Sequence, residues 1–151
     1  MNVRFLKTTN INDLKNIYDC GLVSHRFWTT QEVDTTALYI IVVENKPIGL
    51  MQAYLDTFHN GRKYLYLSMI ELFPKYRGKG VYGKLVVGYL FQIFGVSSMK
   101  GESLPSAIPF WYKIGANFES SKKKLLEYIN QGYSSNFTLS RDKFFKVLYN
   151  K

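Results

Sequence analysis

Between Phe73 and Leu85 the chain reads Pro74-Lys75-Tyr76-Arg77-Gly78-Lys79-Gly80-Val81-Tyr82-Gly83-Lys84. Glycines at 78, 80 and 83 let the backbone turn tightly and come close to a ligand. A helical pattern starts directly after Gly80. A helix start leaves N–H groups without internal partners, and its dipole adds partial positive charge. Arg77, Lys79 and Lys84 add full charges. Together these features make a cradle for phosphate. A solvated basic turn that merely opens a helix has the same composition and is the alternative at this level. The order Gly-x-x-x-x-Gly-Lys-Ser/Thr is absent, so this is not a P-loop. The glycine spacing and the first βαβ position of a dinucleotide fingerprint are also missing.

Strands and helices must hold that stretch in place. Val3 to Leu6 reads as a short first strand. Asn10 or Asn12 can cap a helix carrying Ile11, Leu14, Ile17 and Tyr18 at helical spacing. Ser24 to Thr36 fits a second helix or a loop. Leu38 to Val43 is apolar and β-branched, as a buried strand requires. Glu44-Asn45-Lys46-Pro47 reads as a turn, with Ile48 to Asp56 returning as the partner strand. His59-Asn60-Gly61-Arg62 is a second turn, and Tyr64 to Phe73 the next strand, ended by Pro74. Leu85, Val86, Tyr89, Leu90 and Ile93 then form one helical stripe, with Gly95 as its C-cap. Val96 to Glu102 suits a short strand, and Ser106 to Ile114 a short helix ended by Gly115. Asn136 to Leu139 suits a strand, and Ser140 can cap a final helix with Phe144, Phe145 and Leu148. This order predicts a single α/β or α+β domain with a mixed sheet.

Composition sets outer bounds. The chain has 151 residues, 46% hydrophobic and 17% aromatic, which suits one packed domain and argues against disorder. Lys plus Arg is 20 and Asp plus Glu 11, giving a formal charge of +9 that attracts anions. Cys20 is the only cysteine, so a disulfide framework is excluded and a reducing compartment is favoured. No apolar run reaches the ~20 residues of a membrane helix, and Met1 to Phe5 lacks the apolar core of a secretory signal. The expected setting is cytoplasmic, with no membrane partner. His25 and His59 lack ligand-spaced partners, so no metal is expected. Lys122 to Lys124 reads as a solvated run. Phe27, Trp28 and the tail aromatics suit an acceptor pocket or core packing.

The run from Tyr64 to Phe94 resembles motif A of the GNAT acetyltransferase superfamily, Gln/Arg-x-x-Gly-x-Gly/Ala after a strand and turn. Arg77 and Gly80 match it, while Tyr82 holds the last Gly/Ala position and Gly83 follows. Ala107 to Phe118 resembles motif B, Ala-x-x-Phe-Tyr-x-x-x-Gly-Phe, and Ile48-Gly49 resembles the third-strand pattern. The resemblance covers most of Val3 to Phe118; the tail after Ser120 matches nothing.

The resemblance implies a GNAT-like mixed, mostly antiparallel sheet splayed between two parallel strands, with helices on both faces. It implies acetyl-CoA as cosubstrate. The diphosphate would sit on amides from Lys79 through Gly80, Val81, Tyr82, Gly83 and Lys84, beside Arg77 and Gly78. Backbone groups of Ile70 and Leu72 would take the pantetheine arm and the thioester carbonyl. Acetyl transfer by direct amine attack needs help with a proton on each side. Tyr66 and Ser68 match the positions where relatives place a base, and could order a water chain, though neither is a strong base. Glu71 is the nearest carboxylate; alternation turns it from Ile70 and Leu72, and it reads as solvated or paired. Trp111 stands where many relatives carry the acid tyrosine, and would wall the thioester region by packing. Tyr112 is then either the acid or a core aromatic.

The leading function is N-acetyl transfer to a primary amine on a small molecule or peptide, by a monomer or homodimer. The alternatives are a catalytically weak acyl-CoA-binding module and, behind it, a basic nucleic-acid or ribosome-binding domain. No nucleic-acid module is recognisable, so no nucleic-acid partner is expected.

Overall fold

The computed structural model describes residues 2–9, 27–28, 33–78 and 80–150. The expected helix over Ile11 to Tyr18, together with Cys20, His25 and Lys79, lies outside them. The strands are β1 (Val3–Thr8), β2 (Leu38–Val43), β3 (Lys46–Thr57), β4 (Lys63–Leu72), β5 (Ser98–Ser103), β6 (Asn117–Phe118) and β7 (Ser135–Ser140). The helices are α1 (Tyr82–Phe94), α2 (Ile108–Lys113), α3 (Lys122–Gln131) and α4 (Arg141–Tyr149). Among the described residues the sheet order is β1-β2-β3-β4-β5-β7-β6. β4 and β5 pair in parallel, while β1 with β2, β2 with β3, β5 with β7 and β6 with β7 pair antiparallel. This is the mixed, mostly antiparallel sheet that the motif pattern implies. No helix of the described residues is long and apolar enough to cross a membrane.

Contacts divide the chain into two compact units, Met1–Tyr54 with Ser68–Tyr89, and Leu55–Leu67 with Leu90–Lys151. In the first unit, β2 turns into β3 through Glu44 and Asn45, both left-handed at φ 50° and 65°. Such a two-residue turn matches the twist of the flanking strands. The turn is therefore shorter than Glu44 to Pro47. Pro47 lies within β3 opposite Val42, beside a register irregularity, where a missing N–H is tolerated. Trp28, Val33, Leu38, Leu50 and Phe73 form a buried cluster, with Phe27, Ile40, Met69 and Tyr76 packed against it. Gly49 lets β4 approach β3 closely: a Cβ there would sit 2.5 Å from the Glu71 carbonyl oxygen and 3.0 Å from Leu72 Cα. The Phe73 N–H donates to the Ile48 carbonyl at 2.8 Å just beyond.

In the second unit, Phe91 packs on Phe144 at 5.8 Å, and Trp111 stacks on Phe137 at 4.2 Å between centroids. Gly95, at φ 63°, closes α1 with its N–H on Phe91 O at 3.0 Å. Ser140 caps α4, its Oγ accepting from Lys143 N–H at 3.1 Å. Lys122 to Lys124 are solvated as expected, but they open a helix, α3, absent from the expected elements. Ser121 Oγ accepts from Lys124 N–H at 3.3 Å and Gly132 ends it at φ 78°. Leu125 is buried and Tyr128 and Ile129 are half-buried at i, i+3, i+4 spacing, a stripe barely one turn long.

Replacing Gly49 with Ala forces β4 away from β3. The expected loss is about 1–3 kcal/mol of stability, the scale of overpacking, read from the urea midpoint. An unchanged midpoint would show that the two backbones can separate freely.

Candidate functional site

β4 delivers the chain into a corner. After Phe73, Pro74–Tyr76 make a single 3-10 turn, with Arg77 N–H on Pro74 O at 3.2 Å. Gly78 and Gly80 are left-handed at φ 82° and 68°, a conformation that L side chains resist. The space beside both is open, since a Cβ on either would meet nothing within 4 Å. The first bond of α1 runs from Leu85 N–H to Val81 O at 3.2 Å. The amides of Tyr82, Gly83 and Lys84 therefore precede the helical ladder, at the positive end of a 13-residue helix. Strand, glycine turn and helix start thus come together as the sequence leads one to expect.

Tyr82 occupies a position where the motif has Gly or Ala, and the structure accounts for it. Its ring meets Tyr76 edge-on at 5.1 Å. Tyr76 in turn packs on the Trp28 cluster. The ring of Tyr82 thus ties the helix start to the core through Tyr76.

Glu71 is not solvated. It is 6% exposed, and its two carboxylate oxygens have different partners. Oε1 accepts from Trp28 Nε1 at 3.3 Å, and Oε2 lies 3.8 Å from Arg77 Nη2. The paired alternative is the one realised. The face of β4 opposite Ile70 and Leu72 is covered by Trp28 and its neighbours, which a pattern of period two cannot reveal.

Ser68 is held by Gln52, whose Nε2 donates to its Oγ at 2.8 Å; Ser68 Oγ donates to Gln52 O at 3.2 Å. Gln52 Oε1 accepts from Asp34 N–H at 2.6 Å. The Asp34 carboxylate accepts from Thr36 N–H at 2.9 Å, Thr36 Oγ1 at 2.6 Å and Tyr54 Oη at 2.6 Å. These bonds, led by that from the Thr36 hydroxyl, hold Asp34 below the usual carboxylate range. The bond to Asp34 pushes the Tyr54 hydroxyl up to about 12. Asp34, Gln52 and Tyr54 were not legible as site residues; only Asp34-Thr35-Thr36 carries a local signal, that of an Asx turn. Ile70 and Leu72 are half-buried on the same stretch of β4.

The remaining candidates belong to the second unit. Parallel pairing of β4 with β5 runs from Tyr64 and Ser98 to Leu67 and Gly101. Beyond it, β5 stays with β7, whose register continues to Ser103 and Ser135. Tyr66 is exposed. Trp111 is 4% exposed, stacked on Phe137 and edge-on to Phe110 at 5.3 Å. Tyr112 is 46% exposed, with Lys122 Nζ 5.9 Å from its ring centre, so it is not a core aromatic. Among the described residues no group of three or more His, Cys, Asp and Glu could hold a metal ion.

No family model matches the chain, and no curated protein matches it in sequence. Solved structures match it in fold. AtaTR bound with acetyl-CoA is 17% identical, with 97% of each chain covered and a TM-score of 0.61. The Bacillus subtilis N-acetyltransferase YlbP in complex with coenzyme A is 17% identical over 93% of this chain and 97% of that one, at TM-score 0.55. Arabidopsis thaliana Naa50, in complex with the bisubstrate analogue CoA-Ac-MVNAL, is 14% identical over 92% and 97%, also at 0.55. The chain has the fold of the GNAT N-acetyltransferases.

The Asp34–Tyr54 bond makes stability depend on alkaline pH. The folded Tyr54 value lies above the ordinary 10, so its contribution is complete below pH 10 and fades as pH rises towards 12. Urea midpoints of wild type and Tyr54→Phe should converge over that interval. A gap that stays constant would mean the hydroxyl does not hold its proton for Asp34.

Proposed function

We propose that this chain transfers the acetyl group of acetyl-CoA to a primary amine by direct attack. The open glycine corner after β4, with its helix-start amides, is the observation that carries this reading. A diphosphate fits such a site because backbone N–H groups and helix dipole act on the same anion. In this reading the amides of Gly80 through Lys84 receive the diphosphate, with Arg77, Gly78, Lys79 and Lys84 around it. Backbone groups of Ile70 and Leu72 hold the arm. Bound acetyl-CoA supplies an activated thioester. The protein's part is to orient the amine and move two protons.

Ser68 and Tyr66 are assigned to ordering the water that takes the amine proton. Gln52 supports this by fixing the Ser68 hydroxyl. Tyr112 is assigned the proton for the leaving thiolate, and its exposure leaves the hydroxyl accessible. Trp111 supports the fold of that region by stacking. The acceptor class is an amine on a small molecule or a peptide; the likeness to Naa50 with its CoA-peptide analogue supports the latter. A second reading, acyl-CoA binding without turnover, draws on the burial of Trp111 where relatives carry a tyrosine.

Calorimetry with CoA and thiol release from acetyl-CoA across a panel of amines separate the two. Gly80→Asp puts a carboxylate against the diphosphate and should weaken CoA binding by tenfold or more, on the scale of one charged contact, without unfolding the chain. Unchanged affinity would remove the corner from the site. Tyr112→Phe should lower turnover by about 10²-fold, the lower range for general acid catalysis, with CoA affinity kept. Equal rates would leave Tyr112 outside the chemistry.

A further inference from the structure

Glu71 joins two parts of the first unit that are far apart in sequence. One carboxylate oxygen meets the indole N–H of Trp28, and the other meets the guanidinium of Arg77 at the mouth of the glycine turn. The exposures of the ion pair are unequal. The Glu71 side chain is 4% exposed and that of Arg77 32%, so an anion from solvent can reach the cation but not the carboxylate. Trp28 is fully buried in the cluster that also packs Tyr76, the residue under the turn.

We propose that Glu71 is a positioning residue for the diphosphate turn, and that it couples occupancy of the turn to Trp28. This rests on the CoA reading above. A guanidinium offers five N–H donors in a rigid fork, so a carboxylate on one side sets the direction of the others. Glu71 thereby presets Arg77 for an oxyanion, and a long flexible side chain loses less freedom when the ligand arrives. The coupling follows from charge. When a diphosphate draws on Arg77, Glu71 shares its cation and leans more on the indole N–H of Trp28. The two oxygens are thus committed to holding other side chains, a role different from taking a proton from an acceptor amine.

The sequence holds two tryptophans, so the indole region of a ¹H–¹⁵N spectrum of the whole chain has two N–H signals, and Trp28→Phe assigns one of them. CoA should shift the Trp28 signal in the wild type with the same midpoint as its calorimetric binding. In Glu71→Gln, which still offers the indole an oxygen, CoA should bind about tenfold more weakly, the loss of roughly one charge-assisted contact. The Trp28 response should vanish. Arg77→Lys, on the more exposed side of the pair, tests the same link should Glu71→Gln fail to fold: it keeps the charge, loses the fork, and should also silence Trp28. Wild-type affinity and a wild-type Trp28 shift in a folded variant would overturn the positioning role while leaving CoA binding intact. A wild-type chain that ignores CoA would overturn the cofactor reading and this coupling with it.

Discussion

A helix cannot satisfy its own first amides, and much of the proposed site depends on how this chain uses that defect. The defect occurs in every helix, so it does not by itself make a site. Here the helix start follows a strand through a turn built on two left-handed glycines, with open space beside them. The same turn is anchored from below by Tyr76 and Phe73 in the Trp28 cluster. Donors that face outward are kept rigid by hydrophobic contacts that face inward. Preorganisation of this kind reduces the ordering cost that binding must overcome.

The closeness of β3 and β4 serves the same end. Gly49 brings the two backbones together beside Glu71 and Leu72, and the Ile48 carbonyl takes the Phe73 N–H where the strand runs out. The direction in which β4 enters the corner is therefore fixed by its neighbour. On the same strand, Ser68 is tied to Gln52 and through it to the Asp34 turn. Buried Gln52 spends its amide on fixed partners, as buried polar groups must.

Local rules explain which parts of this could be read from the chain. β-Branched runs marked β2, punctuation by Pro74 closed β4, and Gly95 and Ser140 marked helix ends, because each acts within a few residues. The glycine corner was legible for the same reason. What escaped reading depends on distant partners. Asp34 and Tyr54 lie twenty residues apart and meet only after β2 and β3 have paired. The burial of Glu71 depends on Trp28, a separation of 43 residues. The helix α3 escaped because three lysines at its start oppose the helix dipole and its stripe, Leu125 with Tyr128 and Ile129, spans barely one turn. Its caps, Ser121 and Gly132, were the available signal.

The aromatic run of the last helix has a practical corollary. Phe144 lies fully enclosed against Phe91, Phe145 touches both, and Tyr149 stacks on Phe145. Peeling α4 away would uncover Phe91 in the C-terminal half of α1. Truncating the chain before Arg141 would therefore leave an oily scar on α1 and invite aggregation. A fusion partner or affinity handle joined after Tyr149, itself mostly in solvent, would leave that seal whole.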